Sequence, residues 1–182
     1  LGDIFFIAEE LSSMKDILLQ NGSSAVLAVK NEEDKEAIRR NFAIILDEAG
    51  FVNRVIEKPR YTPNKLKGCG LYLFDLPIFD AIRRTPRTAM RDEYEITDAI
   101  QILIDDGYRV NIAEVIRWDV NVSYPHDLLK CNLQELNRLG QMNIIGRNAR
   151  IPPETEIINS VIGDNVIVEN PIKIYNSLIF HD

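Results

Sequence analysis

Ile145-Gly146-Arg147-Asn148 returns seventeen positions later as Ile162-Gly163-Asp164-Asn165. At the same spacing Asn159-Ser160-Val161-Ile162 matches Asn176-Ser177-Leu178-Ile179. Between these copies run Ile151 and Ile157, then Val168 and Ile174, so an aliphatic residue falls at about every sixth position. Few folds tolerate that period. Short strands wound into a parallel β-helix do, because each strand turns one aliphatic inward while Gly or Asn supplies the φ > 0 corners. A two-strand hairpin is the competing reading, and it gives no reason for the match to run through a whole repeat.

Ahead of the repeats, apolar periodicity alternates between two and near four. Ile4–Ile7 reads as a strand, and Leu11, Met14 and Leu18 as one face of a helix stopped at Gly22. Ala25–Val29 is a second strand and Glu32–Arg40 a charged helix. Phe42, Ile44 and Leu46 alternate into Asp47-Glu48-Ala49-Gly50 and Phe51–Glu57, a hairpin, after which Arg60–Lys67 is polar enough for a loop. Gly70–Phe74 is a strand, and Pro77 suits the start of a helix carrying Phe79 and Ile82. Thr97 suits the cap of a helix bearing Ala99, Ile100, Leu103 and Ile104 that Gly107 closes. Val110–Val115 and Trp118–Val122 are strands, and Pro125 opens a helix with Leu129, Leu133 and Leu136 in one stripe. This alternation predicts an α/β domain over residues 1–140, a mixed sheet with flanking helices, followed by a short parallel β-helix over 141–182.

Composition narrows the partners. A net charge of −7 without a Lys/Arg stripe argues against binding nucleic acid through its backbone. No apolar run approaches the ~20 residues of a membrane span. Cys69 and Cys131 match no zinc-ligand spacing and read as free thiols of a cytoplasmic protein. The first residues, Leu1-Gly2-Asp3-Ile4, fall in mid-strand, which leads us to expect a segment missing in front.

Five segments stand in a telling order: Gly2-Asp3, Val55-Ile56-Glu57-Lys58-Pro59, Gly70-Leu71-Tyr72-Leu73-Phe74, Glu93-Tyr94-Glu95-Ile96-Thr97-Asp98, and Trp118-Asp119-Val120-Asn121-Val122-Ser123-Tyr124-Pro125. Together they resemble the sugar-1-phosphate nucleotidylyltransferases, most of all the archaeal uridylyl- and thymidylyltransferase-like proteins related to N-acetylglucosamine-1-phosphate uridylyltransferase. The resemblance covers nearly the whole chain. It implies a Rossmann-like nucleotidyltransferase domain, here partial, and a left-handed hand for the β-helix. It also implies the reaction of an NTP, UTP or dTTP, with a sugar 1-phosphate to give an NDP-sugar and pyrophosphate.

The resemblance assigns roles residue by residue. Asp3 stands where the family binds Mg²⁺, a cation that prefers hard oxygen ligands. Counting back four from Pro125 gives Asn121 as the second ligand, with Asp119 on the same strand face as its rival. Glu57 would accept hydrogen bonds from sugar hydroxyls, and Lys58 would face the sugar phosphate as a point charge. Gly70 lets the backbone approach the sugar, while Glu93 and Thr97 line the sugar end. Asp3 and Lys58 are the residues through which catalysis would act. Two departures concern the sugar: Phe42-Ala43 occupies a stretch where the family usually has Gly, and Gly68 stands where Asn or Ser is common.

The family's Gly-rich loop for the triphosphate has no counterpart among nine scattered glycines. The isolated chain is therefore expected to be inactive, its other half supplied as a second chain. The β-helix is expected to form a homo-oligomer, its open end exposing Ile174 and Ile179. Two other functions compete: a non-catalytic regulatory or assembly subunit of this fold, and acetyl transfer by the β-helix, for which His181 is the one histidine of the tail.

Overall fold

The computed structural model describes residues 3–20, 22–62, 64–89 and 92–181, so Gly2 of the first motif lies outside the described residues. Its contacts divide it into two units: residues 6–119, and residues 3–5 with 120–181.

In the first unit, described strands β2 (Ala25–Asn31), β3 (Phe42–Leu46), β4 (Val52–Glu57), β5 (Leu66–Phe74) and β6 (Val110–Ala113) form a sheet in the order β4-β3-β5-β2-β6. β2 lies parallel to β6, and the other neighbours are antiparallel, so the sheet is mixed. β2 lies between β5 and β6 and reads Ala-Val-Leu-Ala-Val without a polar interruption, as a strand covered on both faces must. One face carries Leu27, Val29, Phe42 and Ile44 against helices α3 (Ile78–Arg84) and α4 (Ile96–Asp105). The opposite face carries Val26, Ala28 and Cys69 against Met14 of α1 (Ser12–Gln20). α2 (Lys35–Arg40) is capped by Asp34, whose carboxylate accepts the Glu36 N–H. β1 (Ile4–Ala8) and β7 (Ile116–Asn121) pair as a two-stranded sheet.

Local structure departs from the sequence reading at β5 and at Thr97, and α2 starts at Lys35 rather than Glu32. β5 starts at Leu66, inside the stretch read as loop, because Leu66 and Lys67 pair with Asn31 and Lys30 of β2. Thr97 does not cap α4; Glu95 is the N-cap, and the Thr97 hydroxyl turns to a different partner.

In the second unit α5 (Pro125–Leu139) begins with the Asp127 carboxylate accepting the N–H groups of Ser123 and Tyr124, and ends at Gly140 with φ 64°. Beyond it short strands stack in parallel. β10 (Ser160–Ile162) lies between β8 (Asn143–Ile145) and β12 (Leu178–Ile179), and β9 (Glu156–Ile158) pairs with β11 (Lys173–Tyr175). A third parallel contact joins Arg150 to Ile167. Ile145 faces Ile162 and Ile157 faces Ile174, so the register is the sequence period. Corners fall on Asn148, Asn159, Asn165 and Asn176, all at positive φ, and the amides bond down the stack, Asn148 to Asn165 and Asn159 to Asn176. Ile174 is 5% exposed, so it is an internal residue rather than part of an open apolar end. Exposure falls instead on Ile144, Ile145, Ile167, Ile172 and Phe180.

Candidate active site

Glu57 closes β4 and Lys58 follows it. Lys58 adopts φ 41°, and its N–H donates to the Asn41 carbonyl at 2.7 Å, which ties the strand end to the residue preceding β3. A non-glycine residue in that conformation is strained, and strain of this kind is kept where its surroundings enforce it. The Lys58 side chain is exposed, while Pro59 behind it is buried. Thr97 is 2% exposed, and its hydroxyl donates to Glu57 Oε2 at 3.3 Å. The hydroxyl therefore orients the Glu57 carboxylate.

Gly70 lies at an irregularity of β5. Leu27 faces Tyr72 and Val29 faces Gly68, so four steps on β5 match two on β2, and Gly70 takes φ 70° within the excess. Such a bulge re-aims the residues around it. Tyr72 stacks on Phe74, and burial first, then the charge of Glu57, raises its hydroxyl above the ordinary range. Glu93 lies in the connection before α4, where its N–H meets the Thr88 hydroxyl at 3.4 Å. Glu57, Thr97 and Tyr72 are thus brought together.

Asp3 and Asn121 sit at the outer ends of β1 and β7, where the Val122 N–H donates to the Asp3 carbonyl at 2.5 Å. A carboxylate and an amide oxygen are hard donors of the kind Mg²⁺ prefers. Among the described residues no group of three or more His, Cys, Asp or Glu converges on one point.

Asp119, the rival ligand, is engaged elsewhere. Its side chain is 0% exposed, Lys67 donates to both oxygens at 2.8 and 2.6 Å, and Lys30 approaches at 3.4 Å. Glu32 completes a four-charge cluster through Lys30 at 2.7 Å and Lys67 at 3.8 Å. Partial burial opposes the charged form of Glu32, but hydrogen bonds from Lys30 and the Asp34 N–H outweigh it and hold the carboxyl below the usual range. Burial also opposes the charge on Lys30, and Glu32 with Asp119 reverses that, raising it. Burial, then the charge of Asp119, pushes the Cys69 thiol beside the cluster up to about 12. Sequence reasoning missed this cluster because Lys67 reads as a loop lysine; its one signal was a charge three residues ahead of the strand read at Gly70–Phe74.

The nucleotidyl transferase family model matches residues 5–134. The chain belongs to that family. Nucleotidyltransferases of this group from the archaeon Haloferax volcanii are similar to it in sequence. The low-salt glycan biosynthesis nucleotidyltransferase Agl11 is 34% identical over 63% of this chain and 32% of that protein. The UTP–glucose-1-phosphate uridylyltransferase AglF is 31% identical over 70% of the chain and 51% of that protein. The bifunctional protein GlmU of Methanocaldococcus jannaschii is 31% identical over 92% of the chain and 36% of that protein. The chain thus spans between 32% and 51% of the length of these curated relatives. In fold it is similar to a UDP-glucose pyrophosphorylase solved with UDP-glucose, at TM-score 0.63 and 18% identity, covering 76% of this chain and 55% of that one. No helix among the described residues is long and apolar enough to cross a membrane.

Proposed function

We propose that the chain is the sugar- and metal-binding part of a sugar-1-phosphate nucleotidylyltransferase that joins UTP or dTTP to a sugar 1-phosphate. The observation that carries this reading is the end of β4: a carboxylate oriented by a buried hydroxyl, followed at once by an exposed lysine whose backbone is pinned. Glu57 accepts hydrogen bonds from sugar hydroxyls, and Lys58 sets a positive charge against the sugar phosphate. A phosphate oxygen of the sugar 1-phosphate then attacks the α-phosphorus; the bond to the β-phosphate oxygen breaks and pyrophosphate leaves. No protein nucleophile is needed, since positioning and charge neutralisation supply the acceleration. Asp3 and Asn121 are the residues that would hold Mg²⁺. When bound, the ion would neutralise charge on the reacting phosphates.

The catalytic part would run to residue 140, and the stacked strands of 141–182 would form a left-handed β-helix that joins copies of the chain. The triphosphate would be held by a segment outside these 182 residues, because their nine glycines are scattered and make no Gly-rich run in the sequence. The test is pyrophosphate release from UTP or dTTP with a panel of sugar 1-phosphates, using the 182-residue chain alone and then with an added segment that carries a Gly-rich phosphate loop. Turnover only with that segment present is the expected result. Turnover by the chain alone would overturn the split of roles, and no turnover in either case would favour the non-catalytic subunit. In the active form Lys58→Ala should weaken sugar phosphate far more than NTP, and Asp3→Asn should weaken Mn²⁺ binding measured by electron paramagnetic resonance.

A further inference from the structure

The sheet end beside Glu57 is built around one bulky side chain. Phe42 pairs with Glu57 on one side and with Gly68 on the other. Residues paired across a sheet project to the same face, so carboxylate, phenyl ring and bare glycine form one row. A Cβ on Gly68 would fall inside the Phe42 ring. The ring therefore fills the space into which any side chain at 68 would project. It is 4% exposed, and its centroid lies 6.1 Å from the ring of Tyr72. Phe42, from the Phe42-Ala43 stretch, and Gly68 thus meet across two strands and share one volume.

Resting on the reading of Glu57 and Lys58 as the sugar-phosphate site, we propose that Phe42 determines which sugar enters. The chain takes a hexose 1-phosphate bearing hydroxyls alone and turns away one with an acylamino group on the edge facing β3 and β5. Glu57 can accept from two neighbouring hydroxyls. Beside it the Phe42 ring offers neither donor nor acceptor and Gly68 has no side chain, so an amide laid against them would be desolvated. The ring cannot yield room, because it is packed with Tyr72 and the buried aliphatics of its face. A hydrocarbon wall and an unpaired amide discriminate in the same direction.

The test measures binding of glucose 1-phosphate and N-acetylglucosamine 1-phosphate to the protein and to Phe42→Ala, by calorimetry and saturation-transfer NMR. The protein should prefer the unsubstituted sugar by roughly tenfold or more, and Phe42→Ala should narrow that ratio by gaining on the acetamido sugar. Circular dichroism checks the fold. Should the alanine variant unfold, Phe42→Leu keeps hydrocarbon between β4 and β5 and should shift the ratio in the same direction by less. Equal binding of both sugars by the protein overturns the inference, as does a ratio unchanged in the variants, and either leaves the sugar-phosphate reading standing. Binding of neither sugar removes that reading and the inference with it.

Discussion

The mixed sheet and the stacked coils solve the same problem, burying backbone and aliphatic side chains, with opposite use of sequence distance. In the coils each residue meets its counterpart one period away: Asn on Asn, Ile on Ile, Arg147 on Asp164, Glu156 on Lys173. In the sheet the decisive partners are unlike and irregularly spaced: Lys67 with Asp119, Thr97 with Glu57, Phe42 with Gly68. A repeated partner is replaceable by copying its neighbour. An unrepeated one leaves a specific vacancy when it is lost.

The largest expected effect follows from the buried charges. Lys67→Met leaves Asp119 without its main partner and should cost about 3–5 kcal/mol, read from urea denaturation. The double variant Lys67→Met with Asp119→Leu should recover much of that loss, since an apolar pair often replaces a buried ion pair without penalty. No recovery would show that the cluster has a role beyond charge compensation.

Next come the glycines, which separate the two regions by whether a rescue exists. At Gly68 an added methyl meets the Phe42 ring; at Gly163 it meets the backbone of Phe180 and His181. Gly68→Ala and Gly163→Ala should each cost about 1–3 kcal/mol. Combining Gly68→Ala with Phe42→Ala should cost less than the sum of the two single changes, because they contend for one volume. In the coil no single side-chain truncation should relieve Gly163→Ala. Additive costs in the sheet would break the contrast.

The Asn corners give a smaller effect. Asn176 holds φ 46°, so Asn176→Ala should cost about 1–2 kcal/mol in thermal unfolding, whereas Asn176→Gly should be nearly neutral.

The smallest effect is electrostatic. Glu32 has its folded pKa lowered, so its contribution is complete above the ordinary carboxylate value of about 4.3 and is lost as pH falls through the lower folded one. Lys30 is raised, so its contribution holds below about 10.4 and is lost as pH rises through the higher folded value. Denaturation midpoints from pH 3 to 11 should show both flanks, and Glu32→Gln should flatten the acid one. Added salt should weaken the exposed Arg147–Asp164 pair and leave the buried Lys67–Asp119 pair almost untouched.

The legibility of the chain follows the same division. Strands β2, β3 and β4 and helices α4 and α5 could be read because apolar periodicity survives whatever packs against it. β5 was read short, since Lys67 looks solvated until Asp119 is known to lie opposite. Thr97 looks like a cap in sequence and proves to be a support for Glu57, a distinction that needs β4 and α4 placed side by side. Asp119 and Asn121 are equal candidates by strand parity, and an ion pair from another strand engages the first.

The sequence by itself determined the order of strands and helices, the period of the coils and the positions of Glu57, Lys58, Asp3 and Asn121 along the chain. These are local properties, fixed by side-chain alternation and by residues a few places or one repeat apart. Only the tertiary structure decided that Phe42 lies over Gly68, that Thr97 orients Glu57 and that Lys67 neutralises Asp119. Each of those is a contact between unlike residues brought together from distant positions by sheet register, and register is set by the summed packing of both faces rather than by any segment alone.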